Sequence, residues 1–436
     1  MERPLTTSSW PRAILHVDAD AFFVSCEQAL DPSLKGRAVI TGRERGIVSA
    51  MSYEAKALGV TRAMRLFEAK KICPDIVTLP SDYESYSLFS VRMFEIMRRF
   101  SPDIEEYSID EAFLDITGLR SLYHCSYVEI AKKIQEAIRK ELDIGVSIGI
   151  STTKVLAKLA SKHQKPAGLT AISGREIHRY LHALPVEKVW GIGPSTTARL
   201  NKLGIFTALE FARKEVNFIK RQLSKPYIEI WNELRGTSIL PVRSESKRDY
   251  KSISKGKTFT PPSTDKEFIF AQFSKNLENA CIKARRYGLA ATRLTLLLRR
   301  QDFSDTGTEV KISRPSAFPA ELFEALRSGF GHIFEEAIPY RATTVVLAGL
   351  ISPGPVQYNL FDDAVRIEKV SRIYEALDMA SKRFGKHTLC HGSSLPTKTM
   401  AQHEGERGDA GGRSSKLFRG ENRRQRLGLP LLNMKI

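Results

Sequence analysis

Two short apolar stretches that each carry carboxylates constrain this chain more than any other feature. Ala13-Ile14-Leu15-His16-Val17-Asp18 reads as a buried strand ending on an acid, with Asp20 two residues further on. Tyr107-Ser108-Ile109-Asp110-Glu111-Ala112-Phe113 lies in a second region of strand character, residues 105–117. Carboxylates among buried apolar residues are desolvated and repel one another. A bound divalent cation removes that cost. Magnesium takes few protein carboxylates and completes its octahedron with waters and substrate phosphates. Successive strand residues face opposite ways, so Asp110 and Glu111 can converge only at a turn or distortion. Any one of these acids could equally be a solvated or salt-bridged residue; the combination is what points to a metal.

The periodicity around these strands predicts a mixed α/β domain to about residue 180. A helix follows the first strand from Phe22 to Leu30 and stops near Asp31-Pro32. Residues 37–51 suggest a hairpin turning around Gly42 to Gly46. Further helices are expected at Glu54–Leu58, Arg65–Ile72, Tyr83–Phe100, 126–142 and Lys154–Lys162, with a strand at Val146–Ile150. Residues 181–240 look helical, and the polar, basic stretch Lys247–Lys257 reads as a linker. Residues 251–350 then repeat a pattern. Strand 252–259, helix 266–287 and strand 291–300 are followed by strand 307–313, helix 319–335 and strand 342–350. This βαββαβ order predicts a split-βαβ module. A last helix is expected over 366–384. From about 393 to 426 the chain is rich in Gly, Ser and Arg, the composition of a disordered tail.

With 436 residues the chain is too long for one ordinary core, so several domains are expected. Lys plus Arg number 67 against 49 Asp plus Glu, a net +18 that favours a polyanionic partner, nucleic acid first. The five cysteines are odd in number, widely spaced and free of CxxC, which argues against a disulfide framework or a structural zinc site. Cys390-His391 with His387 lacks a second cluster to complete four ligands. No stretch approaches the roughly 20 apolar residues that span a bilayer, and a cytoplasmic protein is expected.

The motifs together resemble those of the Y-family DNA polymerases, most closely the bacterial polymerase IV and V branch. HVDADAFFVSCEQ at 16–28 and YSIDEAFLDITG at 107–118 are similar to the two metal motifs. VSAMSYEAKALG at 48–59 is similar to the nucleotide-binding fingers segment, and GIS, TKVLAKLAS and KPAG within Val146–Leu169 to the end of the palm. The resemblance spans about residues 12–385. It implies a multidomain α/β (α+β) right hand: palm at 1–24 and 78–180, fingers at 25–77, helical thumb at 181–246, and a βαββαβ little finger at 247–350. A clamp-binding peptide and tail would fill 351–436.

Residue by residue, the resemblance implies that Asp18 bridges two magnesium ions (manganese could replace them). The backbone carbonyl of Ala19 helps hold one, Asp110 completes the site and Glu111 holds the catalytic metal near the primer 3′-hydroxyl. Phe23 matches the aromatic steric gate against a ribose 2′-hydroxyl, with Phe22 the core residue of the pair. Tyr53, Lys56 and Lys165 match the triphosphate contacts. Lys56 stands where arginine is common, so the bidentate fork is lost. Ala50 stands where a hydroxyl is common, and Ile47 is a bulky residue over the nascent base pair.

Trp190-Gly191-Ile192-Gly193-Pro194 resembles a helix-hairpin-helix turn, in which Gly191 and Gly193 let backbone amides approach a DNA phosphate. In the little finger, Lys257, Arg293, Arg299 and Arg341 are expected on the DNA face, where strand alternation places about half of the cations. Gln357-Tyr358-Asn359-Leu360-Phe361 resembles the bacterial sliding-clamp peptide, with Gln357, Leu360 and Phe361 as anchors. A weaker echo runs from Gln425 to Leu431. The resulting expectation is an error-prone translesion polymerase, monomeric, acting on primer–template DNA with deoxynucleoside triphosphates and recruited by the clamp. A non-catalytic adaptor would have lost the acids. A merely basic DNA-binding protein would leave the gate and the triphosphate lysine unexplained.

Overall fold

The computed structural model describes residues 4–6, 8–244, 250–352, 364–384 and 389–399. The described residues divide into two compact units, one drawn from 4–43 and 47–244, the other from 250–399.

The first unit is organised by a five-stranded sheet of order β5-β6-β1-β7-β8. Its strands are β1 (Ile14–Ala19), β5 (Ile104–Glu106), β6 (Glu111–Asp115), β7 (Val146–Ser151) and β8 (Leu169–Ala171). Central β1 runs antiparallel to both β6 and β7. Leu15, Val17 and Ala19 point into one core with Ala112, Leu114, Ile148 and Ile150. The helices over that core are α1 (Phe22–Leu30), α4 (Tyr83–Arg98) and α6 (Tyr127–Leu142). In α6, Ser126 and Glu129 form a capping box, and Tyr127, Ile130, Ala131, Ile134, Ile138 and Leu142 recur at helical spacing on the buried side. Short α5 (Leu119–Tyr123) precedes it.

Between α1 and α4 lies a small sheet of order β3-β2-β4, made by β2 (Val39–Thr41), β3 (Ala50–Met51) and β4 (Val77–Leu79). It carries α2 (Tyr53–Ala57) and α3 (Leu66–Ile72). The expected hairpin over 37–51 is present as the antiparallel β2–β3 pair. Gly42 is required there: at φ +108°, a Cβ would lie 2.2 Å from the Ile47 carbonyl oxygen. The domain boundary expected at residue 78 falls inside β4, because Val77–Leu79 pairs in parallel with β2.

On the other face of the large sheet lies α7 (Lys154–His163), capped by Thr153. Gly149 makes this approach possible, since a Cβ there would sit 2.1 Å from the Ala157 carbonyl oxygen. Beyond α7 come α8 (Ile177–His182), α9 (Pro194–Lys202), α10 (Ala208–Arg213), α11 (Val216–Gln222) and α12 (Lys225–Leu234) around their own core of Ile177, Leu181, Leu200, Phe211 and Leu234. This segment is helical, as expected.

The second unit is the expected βαββαβ module. Its order is β9 (Ser252–Ser263), α13 (Lys266–Arg286), β10 (Ala291–Arg300), β11 (Asp305–Ser316), α14 (Pro319–Ile333) and β12 (Tyr340–Ala348), with sheet order β11-β10-β12-β9. The linker expected at Lys247–Lys257 is overturned from Ser252 onward, because those residues pair along β12 as an edge strand. After α15 (Ala364–Phe384), residues 389–399 are folded rather than tail-like. They form a turn and α16 (Pro396–Thr399), with Ser394 and Thr397 buried. Both segments dock on the helices of the module. Arg285 donates to both Asp378 carboxylate oxygens at 2.7 Å, and His391 stacks on Phe323 at 4.1 Å.

Candidate active site

The β1–β6 register sets Asp18 directly opposite Glu111, and the β1–β7 register sets it opposite Ser147. Alternation puts His16 on the same face of β1 as Asp18. Ligand atoms of His16, Asp18 and Glu111 all lie within 4.8 Å of one another, and this is the only such group among the described residues. His16 is fully buried; its Nε2 lies 2.9 Å from Glu111 Oε2 and its Nδ1 2.7 Å from the Ser161 hydroxyl. Burial lowers the imidazole to about 4, against the opposing pull of the Glu111 hydrogen bond, so the ring is neutral at physiological pH.

Glu111 is held from two sides. Burial raises its carboxyl, but hydrogen bonds from His16 and from the Lys158 ammonium outweigh that and bring it to about 2. Both donors use Oε2; Oε1 has only the Ser108 hydroxyl at 3.4 Å. Asp18 is raised by burial, opposed by the Lys165 ammonium 2.5 Å from its Oδ1. Asp20 is buried and accepts from Ser147 Oγ (2.9 Å), Ala167 N–H (2.8 Å) and Tyr53 Oη (3.1 Å). The Tyr53 hydroxyl is pushed up by burial and by the Asp20 charge beside it.

Asp110 sits outside the tight group. The strand begins at Glu111, so Asp110 occupies the turn before it, as the need for a distortion required. Tyr107 and Ser108 N–H both donate to the Glu111 carbonyl, and Ala19 N–H donates to the Asp110 carbonyl at 2.9 Å. The Asp110 carboxylate accepts from the Ser108 hydroxyl, and burial raises its pKa. The donors that converge are therefore mainly hard carboxylate oxygens, with His16 Nε2 committed to Glu111. That set fits an oxygen-seeking divalent cation.

Phe22 is buried in the core, while Phe23 is half-exposed, stacked on Tyr86 at 4.5 Å with Tyr83 edge-on at 5.5 Å. Lys56 is not drawn into the acids; its ammonium lies 5.8 Å from the Tyr53 ring on the same helix. Ala50 lies in β3, and Ile47 bridges to Arg65. Lys158, the His16–Ser161 pair and Ser147 were not among the sequence candidates. The signal for Lys158 was its place one turn after Lys154 and seven residues before Lys165, on the helix face that Gly149 lets onto the sheet.

Of the grip candidates, Gly191 has φ +92° and a Cβ there would lie 2.6 Å from Ile230 Cδ1, while Gly193 caps α9 with open space around it. In the second unit, Arg293 and Arg299 point to the helix-free face of the sheet. Each is engaged, Arg293 with Glu309 at 3.3 Å and Arg299 with Asp305 at 2.7 and 2.8 Å. Lys257 departs from expectation. It pairs with buried Thr343, so register turns it to the helix side of the sheet. Arg341 lies in a bulge, its guanidinium 4.2 Å from the exposed Phe303 ring. Gln357, Leu360 and Phe361 lie outside the described residues, as do His387 and the Gln425–Leu431 echo. No described helix is long and apolar enough to cross a membrane.

Residues 17–162 match the impB/mucB/samB family, 250–360 its C-terminal domain and 175–205 the helix-hairpin-helix motif of the same family. The chain is 33% identical over 397 residues to DNA polymerase IV of Dehalococcoides mccartyi (strain CBDB1), an alignment covering 89% of this chain and 99% of that one. It is 34% identical to DNA polymerase IV of Moorella thermoacetica (88% and 96% covered) and 30% identical to DNA polymerase IV 1 of Bacillus subtilis (88% and 93%). A solved Y-family DNA polymerase chimera, Dbh-Dpo4(243-245)-Dbh, superposes with a TM-score of 0.66 at 26% identity, over 78% of this chain and 100% of the other.

Proposed function

We propose a mechanism from one premise: the chain belongs to the impB/mucB/samB family and is a DNA-directed DNA polymerase of the Y family, polymerase IV-like and of the translesion kind. In our reading it adds deoxynucleotides to a primer 3′-hydroxyl opposite damaged template, without proofreading, and so contributes to damage tolerance and mutagenesis. The observation that carries this reading is the convergence of Asp18 and Glu111 across the β1–β6 ladder, with Lys165 on Asp18 and Tyr53 on the neighbouring Asp20.

Asp18, Glu111, the Ala19 carbonyl and Asp110 would hold two magnesium ions, and manganese suits the same oxygens. When bound, such a pair activates the attacking hydroxyl and steadies the leaving pyrophosphate. His16 and Lys158 saturate Oε2 of Glu111 and leave Oε1 for the cation. Lys165, paired with Asp18 in this state, supplies charge to the incoming β and γ phosphates, and the Tyr53 hydroxyl donates to them. Lys56 stands further out and adds a weaker contact. Phe23, backed by Tyr86, closes the space a ribose 2′-hydroxyl would need.

The five-stranded sheet and its helices would be the palm, the β2–β4 sheet with α2 and α3 the fingers, α8–α12 the thumb and the βαββαβ module the little finger. Primer–template DNA is then gripped through the amides of Gly191 and Gly193 and through Arg293, Arg299 and Arg341. The Gln357–Phe361 peptide recruits the bacterial sliding clamp to a monomeric polymerase at the cytoplasmic nucleoid. Primer extension by the purified protein tests the reading. Asp110→Ala and Glu111→Ala should each abolish extension and leave DNA binding largely intact; extension surviving both would overturn the metal assignment. Deleting Leu360 and Phe361 should remove clamp stimulation but not basal synthesis.

A further inference from the structure

Lys158 is held by more than Glu111. Its side chain is 7% exposed, and its ammonium lies 4.6 Å from the Tyr107 ring centroid and 5.3 Å from that of Trp190. The two rings meet edge to face at 5.3 Å and 86°, and Trp190 also stacks on Phe113 at 5.7 Å and 29°. One turn earlier, Lys154 is treated alike. It lies 4.7 Å from the Phe113 ring and 2.7 Å from Glu105. Lys154 and Lys158 therefore bracket a run of three rings, Phe113, Trp190 and Tyr107. A nearly dry ammonium finds a partner in the face of an aromatic ring, above all tryptophan.

Trp190 does not come from the sheet. It immediately precedes Gly191, in the turn that leads into α9. It packs both against the helical core around Leu200 and Phe211 and against the small cluster of Ile14, Phe113 and Ala157 on the sheet. The same residue thus touches the helical segment, the sheet and the cation that pins Oε2 of Glu111.

We propose that Trp190 is a positioning residue for Glu111: it closes the aromatic box that fixes the Lys158 ammonium on the Glu111 carboxylate, and so ties the Gly191–Gly193 turn to the metal-holding acid. The inference rests on the reading of Glu111 as a metal ligand. DNA seated on the amides of Gly191 and Gly193 would order the neighbouring Trp190 and, through Lys158, the carboxylate. The step from grip to chemistry is then mechanical and two contacts long.

The test uses the full chain and manganese as a spectroscopic stand-in for magnesium. Trp190→Leu keeps apolar volume and loses the ring; Trp190→Phe keeps a ring. For Trp190→Leu, Mn2+ affinity measured by electron paramagnetic resonance without DNA or nucleotide should fall several-fold. Its single-turnover rate at saturating nucleotide should fall roughly tenfold, the size expected for losing a desolvated cation–π contact. Nucleotide KM and primer–template affinity should stay within about twofold, and Trp190→Phe should remain near wild type in all four. In a Lys158→Met background, Trp190→Leu should cost little more, because the box then has nothing to hold. Wild-type Mn2+ affinity in Trp190→Leu, or additive losses in the double variant, would overturn the proposal. So would a melting temperature lowered by more than about 5 °C in Trp190→Leu, which would make the ring a packing group. If the wild-type protein extends no primer but the Mn2+ results hold, the polymerase reading fails and the coupling stands.

Discussion

The two sheets of this protein use charge in opposite ways. On the five-stranded sheet, Asp18 and Glu111 are mostly buried, each held by a designated cation, and Glu111 also by the neutral His16. On the helix-free face of the four-stranded sheet, Arg293 and Arg299 are exposed and paired with Glu309 and Asp305, which are exposed too. A buried charge needs fixed partners and pays heavily when one is lost. An exposed ion pair contributes about 0–1 kcal/mol and is screened by salt. The first sheet therefore has the organisation of a chemical centre, whereas the second has that of an adjustable, solvent-screened electrostatic surface.

The largest effect that sharpens this contrast is expected at Glu111. Glu111→Gln keeps the shape and removes the charge, so primer extension should fall at least roughly 1,000-fold, about 4 kcal/mol of barrier. Primer–template affinity, measured by fluorescence anisotropy, should change little; a matching loss of DNA binding would erase the distinction between the sheets. Next comes the gate. Phe23→Ala should raise ribonucleotide incorporation roughly a hundredfold in competition assays while deoxynucleotide insertion falls less. Unchanged sugar discrimination would make Phe23 a packing residue of the core to which Tyr86 belongs.

A smaller effect follows from folding. His16 has a folded-state pKa below its unfolded value, so protonation favours the unfolded chain. Its contribution is intact above about pH 6.5 and is lost as pH falls toward 4. Over that window the loss is on the order of 3 kcal/mol, and His16→Gln should flatten the slope of urea midpoint against pH. An unaltered slope would mean that the imidazole is not buried in its neutral form. The smallest effect belongs to the open sheet. Asp305→Asn releases Arg299 and should tighten DNA binding about twofold and steepen its salt dependence, by up to about one unit of slope. Arg299→Ala should do the reverse, and identical isotherms for both would remove Arg299 from the interface.

Much of this was legible without coordinates. The βαββαβ module appeared in order, with β10 at its expected limits, because alternation in strands and three-to-four spacing in helices are local signals. Phe22 is buried in the core, as expected. Lys257 failed because alternation says only that half of a strand faces each way. Which half faces the helices depends on the register with β12. The tail expected from about 393 failed over 393–399 because the composition there is tail-like, while Ser394 and Thr397 are buried by contacts with a distant helix.

The amino-acid sequence by itself determined the family, through the acid-bearing motifs around Asp18 and Asp110-Glu111, the Phe22-Phe23 pair and the lysine that opens Lys165-Pro166-Ala167-Gly168. Those follow from residue types at short range, where chain connectivity fixes neighbours. Only the tertiary structure decided how the acids are held. His16 and Lys158 hold Glu111 directly, Ser161 and Trp190 stand behind them, and these contacts join residues up to 145 apart, as between His16 and Ser161, because Gly149 lets one helix settle on the sheet. It also placed Asp110 outside the tight cluster, in the turn before Glu111; alternation called for a turn or distortion here but not for which acid would stand in it.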